Sequence, residues 1–215
     1  MTFGRVGRPF EVPDPAEAKP EPKAQRNFTD PDSRIMLDGA TKSFVQAYNV
    51  QIAVDAGCQI VVASEITQEA VDSRQLLPML AQVRENLGAK PVAASADAGY
   101  FSEANLTSSV VDGIAMHVPP NQREASDAAA GGAGRPKSEV AQAMRAKLAS
   151  PAGKAIYRMR KALPEPVFGQ IKAARNIRSF LLRGFAKARA EWRLICATHN
   201  LLKLFRHHHG RFRPV

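Results

Sequence analysis

The stretch from 119 to 137, PPNQREASDAAAGGAGRPK, places the strongest constraint on how this chain can fold. Its prolines, glycines, alanines and short polar residues offer no periodic apolar face, so it reads as a flexible linker between two parts. The parts differ in hydrophobic period. Before the linker, apolar residues come largely in short β-type runs; after it they recur only at helical spacing. The chain is therefore expected to hold an α/β core over 28–118, the linker over 119–137 and a basic helical part over 138–206. Residues 1–27 carry five prolines among Glu, Lys and Ala, which cannot bury a core and read as a disordered lead-in; 207–215 reads as a basic tail.

Within the core, Thr29-Asp30-Pro31-Asp32-Ser33 is turn chemistry. Residues 45–54 and 58–66 read as a β-hairpin across Asp55-Ala56-Gly57. Thr67 to Gly88 reads as a helix with Val71, Leu76, Leu77, Leu80 and Val83 on its apolar face and Gly88 as its stop. A strand over Pro91–Ala96 ends at Asp97, Ser102 caps a helix reaching Val111, and Ile114–Val118 is a further strand. Past the linker, helices are expected over 138–149, from Ser150-Pro151 onward, and through Lys172 after an interruption at Pro164 and Pro166. The last, over 178–206, repeats Leu181, Phe185, Ala188, Trp192, Ile195, His199 and Leu202 at alternating spacings of four and three, which makes Trp192 and His199 core residues. The order β-β-α-β-α-β suits an α/β sheet whose ligands gather at the strand ends.

Charge divides along the same line. Residues 1–137 hold 13 Lys and Arg against 17 Asp and Glu, whereas 138–215 hold 17 against 3, giving the net charge of +10. A basic second part points to a polyanionic partner, nucleic acid first. No apolar run approaches the ~18 residues of a membrane span, and no secretory signal is visible at Met1–Phe10. Cys58 and Cys196 have no metal-ligand spacing, so a disulfide scaffold and a zinc module are both disfavoured and the cytosol is the expected compartment.

Two acids stand out. Asp97 follows a strand of small residues in Ala96-Asp97-Ala98-Gly99-Tyr100, where a carboxylate projects from a sheet edge and Gly99 lets backbone approach a ligand. Asp-x-Gly is also ordinary turn chemistry. Glu165 lies seven residues before Lys172, which on a regular helix puts both on one face, and Tyr157 and Arg160 precede it by one to two turns. A lone acid among so many bases could neutralise its neighbours or hold a metal within a phosphate-binding surface.

The segments KAQRNFTDPDSRIM, FVQAYN, SADAGYFSEANL, PEPVFGQIK, FLLRG and EWRLICATHNLLKL, taken in order from Lys23 to Phe205, closely resemble bacterial insertion-sequence transposases of the DDE type. The resemblance implies a ribonuclease H-like fold and two Mg²⁺ (or Mn²⁺) ions held by three carboxylates. Such metals activate a water or a 3′-hydroxyl for in-line attack on a DNA phosphodiester. It assigns Asp97 and Glu165 as the second and third carboxylates, both catalytic and metal-binding, and gives Tyr157, Arg160 and Lys172 contacts with the DNA end. The implied partner is double-stranded DNA carrying the element's terminal inverted repeats, with the nucleoid as location and a homo-oligomer as the working form.

The chain also departs from the family pattern. The first carboxylate belongs upstream of the Thr-Asp-Pro-Asp segment, and the 29 residues before Asp30 hold no such strand. Asp38-Gly39-Ala40-Thr41 follows that segment and is rejected; Asp30, Asp32 and Asp55 are assigned turn roles. The expectation is a partial ribonuclease H-like fold lacking a central strand, the C-terminal part of a split, frameshifted or truncated transposase. Pro164 directly precedes Glu165 where the family has an aliphatic residue, and Asn176 stands where it has Gly. Three readings follow: a transposase, a non-cleaving DNA-binding fragment that inhibits a full-length relative, or a poorly folded remnant.

Overall fold

The computed structural model describes residues 26–39, 41–120 and 138–211. Nearly all of the lead-in, most of the linker and the end of the basic tail thus lie outside the described residues.

Strand β1 (Arg34–Leu37) pairs antiparallel with β2 (Phe44–Ala47), Arg34 opposite Ala47. The connection is a tight turn in which Asp38 accepts from the Lys42 N–H through its carbonyl and from Thr41 Oγ1 through its carboxylate. Asp38 therefore does belong to a hairpin turn. Strand β3 (Asn49–Val54) pairs antiparallel with β4 (Val61–Thr67), closed by Asp55, whose carboxylate accepts from the N–H groups of Gly57 and Cys58. Helix α1 (Leu76–Leu87) follows a 3-10 turn over Asp72–Gln75 and stops at Gly88, left-handed at φ 68°. Strand β5 (Ala93–Ser95) runs parallel to β6 (Ala115–His117), with α2 (Glu103–Leu106) and a 3-10 turn over Ser109–Val111 in the crossover. Beyond the linker come α3 (Glu139–Ala149), α4 (Pro151–Ala162), α5 (Pro164–Gly169), a π turn over Gln170–Ala174, and the long α6 (Phe185–Arg211).

Four expectations about elements need correction, each for a local reason. The run 45–54 is not one strand. It breaks at Tyr48, whose hydroxyl donates to both Asp30 carboxylate oxygens at 2.9 Å, so β2 pairs with an unforeseen β1 and β3 with β4. No helix starts at Thr67: Thr67 Oγ1 accepts from the Glu69 N–H and Asn49 Nδ2 donates to the Glu69 carbonyl, holding a loop. The helix after Ser102 ends at Leu106, because Ser108 caps a fresh turn through its hydroxyl and Gly113 turns left-handed. The last helix begins at Phe185 rather than 178, after a left-handed Gly184 at φ 84°, and runs on to Arg211.

Two larger apolar clusters hold these pieces together, and a smaller one of Ala63, Met79 and Val83 joins β4 to α1. Leu76 and Leu80 of α1, with Phe101, Ile114, Met116 and Val118 of the β5/β6 unit, pack with Ala141 and Met144 of α3. Val61 and Ile66 of the hairpin pack with Val167, Ile171, Ala188, Trp192 and Ile195 from α5, the π turn and α6. Trp192 Nε1 donates to the Gln51 carbonyl, and His199, fully buried, bonds through Nε2 to the Gln59 carbonyl. Both are core residues. The helices after 138 are thus built into both cores.

The three ladders do not merge. Among the described residues no backbone ladder joins β3 to β5, so the architecture is α/β with three two-stranded sheets. The outer edge of β4 is covered by side chains: Asn200 both accepts from the Val61 N–H and donates to its carbonyl, while Gln82 and Asn86 serve Ser64 and Val62. Such covering keeps a bare edge from pairing with another chain. No helix among the described residues is long and apolar enough to cross a membrane.

Candidate active site

Asp97 lies just past β5 and caps the 3-10 turn Ala98–Tyr100, its Oδ1 accepting from the Gly99 N–H at 2.9 Å. Half of its side chain is exposed, and Oδ2 lies 4.0 Å from Arg160 Nη1. Arg160 arrives on α4, which packs across β5 and β6. Its guanidinium sits 5.3 Å from the centre of the Tyr157 ring, three residues back on the same helix. The Arg160 side chain is mostly buried, and its Nε has no hydrogen-bond partner among the described residues. Three of the five predicted residues, Asp97, Tyr157 and Arg160, therefore meet at one place.

Glu165 and Lys172 are placed differently. Leu163 leaves helical register, Pro164 opens α5, and Glu165 stands exposed in its first turn. Among the described residues Glu165 makes no hydrogen bond or ion pair. Lys172 lies inside the π turn, where Arg175 N–H donates to the Gln170 carbonyl five residues back. The expected regular helix from Glu165 to Lys172 is thus corrected: the wider π turn changes the angular offset between the two side chains. Lys172 Nζ hangs 5.7 Å from the Phe168 ring centre. It also lines a cavity of about 870 Å³ together with Asn49, Asp72, Phe168, Arg178 and Trp192. The segment ends at Asn176, left-handed at φ 55°, followed by an Ile177 N–H to Ile171 carbonyl bond, which explains glycine as the usual family residue there.

No motif along the chain marks the second carboxylate that the fold brings beside Asp97. Asp72, in the 3-10 turn before α1, accepts on Oδ1 from Asn49 Nδ2 at 2.7 Å and from Gln51 Nε2 at 2.9 Å. A Cβ placed on Gly99 would sit 3.1 Å from Asp97 Oδ1 and 3.4 Å from Asp72 Oδ2, so the two carboxylates flank that glycine. Tyr100 completes the group: its hydroxyl donates to Gln51 Oε1. Burial, and then the charges of Asp72 and Asp97, hold its phenol well above the ordinary tyrosine range.

Among the described residues no three His, Cys, Asp or Glu side chains converge as a metal cluster, so Glu165 does not join Asp72 and Asp97. The donor chemistry still suits a hard cation at Asp97. Mg²⁺ takes oxygen ligands, commonly one or two carboxylates with water and substrate phosphate completing the shell. Asp97 offers a half-exposed carboxylate with Asp72 Oδ2 nearby.

No curated protein and no solved structure matches the chain. Residues 131–205 match the family model described as Transposase DDE domain, a span that includes Tyr157, Arg160, Glu165 and Lys172 and leaves Asp97 outside. Over that span, about a third of the chain, the sequence is similar to the transposase DDE domain.

Proposed function

We propose that the chain acts in DNA transposition as the DNA-end-binding part of a bacterial insertion-sequence transposase with a ribonuclease H-like core. Asp97 and Glu165 are its contributions to a divalent-metal centre. The observation that carries this reading is the meeting of Asp97 and Arg160, drawn from opposite sides of the linker onto one surface with Tyr157 behind the guanidinium. A carboxylate suited to Mg²⁺ or Mn²⁺ beside a positioned guanidinium fits the end of a DNA strand, where metal and cation share the phosphate charge. Metal bound at such a site supplies an activated oxygen nucleophile and stabilises the leaving oxygen of a phosphodiester. The chain's own residues do the rest. Arg160 and Lys172 hold backbone phosphates, and the Tyr157 ring lies beside the Arg160 guanidinium.

A second reading is favoured by the position of Glu165 apart from Asp72 and Asp97. Alone, the chain binds ends without cutting them and competes with a full-length relative, directly or as a mixed oligomer. One experiment separates the two. The purified chain is mixed with labelled duplexes taken from the DNA flanking its coding sequence, with Mg²⁺ or Mn²⁺, across a salt series. Salt-sensitive retardation with nicking that Asp97→Ala abolishes supports the enzyme; retardation without nicking supports the binding fragment. No retardation at low salt overturns both.

A further inference from the structure

We propose that Asp72 is a positioning residue that locks the Asp97 turn onto β3, an inference that rests on Asp97 being the metal-binding carboxylate proposed above. No backbone ladder connects β3 to β5 among the described residues, so side chains must fix the turn that carries Asp97 relative to β3. They do so through a closed set of bonds. Asn49 and Gln51, successive inward positions of β3, both donate to the same oxygen of Asp72. Gln51 is almost wholly buried, and its other amide atom, Oε1, accepts from the Tyr100 hydroxyl. Buried Asn105 ties the two turns again, donating to the carbonyls of Ser73 and Tyr100.

Each member is spoken for. The two Gln51 amide hydrogens go one to Asn49 Oδ1 and one to Asp72 Oδ1, and its oxygen accepts from the Tyr100 hydroxyl. A buried polar network whose members are all satisfied is rigid, and removing one member leaves the others with unmet bonds. Asp72 is the one anionic acceptor in the set, and charge-assisted bonds are the stronger kind. Its other oxygen, Oδ2, lies beside Gly99 as Asp97 Oδ1 does, so the turn is held from β3 while the Asp97 carboxylate stays half exposed. Asp72 thereby acts on the metal site through Tyr100 and the turn, by fixing where Asp97 points.

The test uses the full chain and two measurements. Amide hydrogen exchange reads the turn directly, since the Gly99, Tyr100 and Phe101 N–H groups bond within it. Titration with Mn²⁺ alone, following the free ion by electron paramagnetic resonance, reads the carboxylate. Asp72→Asn and the gentler Tyr100→Phe should each speed exchange at 99–101 at least tenfold while amides around Trp192 keep their wild-type rates. Both should weaken Mn²⁺ binding about five- to tenfold, and Asp97→Asn should abolish it. Wild-type exchange at 99–101 in both variants overturns the lock. So does Mn²⁺ binding weakened by Asp72→Asn but untouched by Tyr100→Phe, which makes Asp72 a direct ligand. Faster exchange at 99–101 in both variants, with no Mn²⁺ binding by the wild-type chain, keeps the lock and removes the metal reading instead.

Discussion

Asp32 accepts a hydrogen bond at 2.9 Å from the backbone N–H of Phe185, 153 residues further along the chain. Its neighbour in the same turn, Asp30, accepts from the Gly184 N–H at 3.2 Å and from the Tyr48 hydroxyl. Burial and the Asp30 hydrogen bond keep the Tyr48 phenol well above its ordinary range. The Thr-Asp-Pro-Asp segment is therefore both a turn and a cap supplied from a distance to α6, which has no side-chain acceptor at Gly184. Negative charge at a helix N-terminus adds to the effect.

Removing that acceptor has a calculable cost. Asp32→Ala should lower stability by about 1 kcal/mol, the usual loss for an N-cap, whereas Asp32→Asn keeps an acceptor and most of the stability. Urea denaturation checks this, and equal midpoints for wild type and Asp32→Ala would mean the cap contributes nothing.

Acid should weaken the chain through Glu65. Arg189 Nε donates to Glu65 Oε1 at 2.6 Å and Arg193 Nη2 to Oε2 at 3.1 Å, joining β4 to α6. Burial pushes this carboxyl up, but the bonds from Arg189 and the Ile66 N–H, with the two arginine charges, bring it net below 4.5. Because the folded value lies below the unfolded one, the contribution is whole above the ordinary carboxylate pKa and is lost as pH falls through the folded value. The stability gap between wild type and Glu65→Gln should close as pH drops from 7 toward 3. A gap that stays constant would contradict the assignment.

At Asn176 the backbone decides. A left-handed φ of 55° costs a β-branched residue about 1–2 kcal/mol, so Asn176→Val should lose that much in thermal denaturation. Asn176→Gly should change stability by no more than about 0.5 kcal/mol, since Gly and Asn both accept this conformation. An equal loss in both variants would point to the asparagine side chain instead.

Gly153 sets two effects against each other. Alanine is the better helix former by about 1 kcal/mol, yet a Cβ at 153 would run into the Lys147 carbonyl, backbone of α3 that cannot swing aside. Overpacking of that kind costs about 1–3 kcal/mol, so Gly153→Ala should destabilise on balance. Circular dichroism melting of the variant decides which effect prevails.

Arg160 and Lys172 should each carry about one phosphate. Arg160→Ala and Lys172→Ala should each reduce the slope of log affinity against log salt by about one, measured by fluorescence anisotropy on a duplex. Arg160→Lys should not restore binding, because an ammonium lacks the planar fork of a guanidinium. Unchanged slopes in both alanine variants would place the DNA elsewhere.

Where local chemistry decides a feature, the residues declared it in advance. Gly88 as a helix stop, Ser150-Pro151 as a helix start, Asp55 as a hairpin turn, and Trp192 and His199 as core were all legible from neighbours a few positions away. What stayed hidden depends on partners far along the chain. β1 could not be seen because Ile35-Met36-Leu37 is a short apolar run without alternation, too brief to mark a strand although Asp38-Gly39 follows it. The start of α6 could not be seen because its cap is 153 residues away. At the site, Asp97 and Arg160 were named by motif, but Asp72 was not: its importance lies in facing Gly99, which no spacing along the chain reveals.

The long-range cap on α6 also sets a schedule for folding. At about 5–20 residues per second, a ribosome needs roughly 8–30 s to deliver Phe185 after Asp32 has been made. Through that interval Asp30 and Asp32 wait without the backbone they will bind, and the apolar face of β3 and β4 waits for Trp192 and Ile195. The newborn chain thus exposes its first hairpins for most of its synthesis, and any chaperone it needs must act there, before the last helix leaves the ribosome.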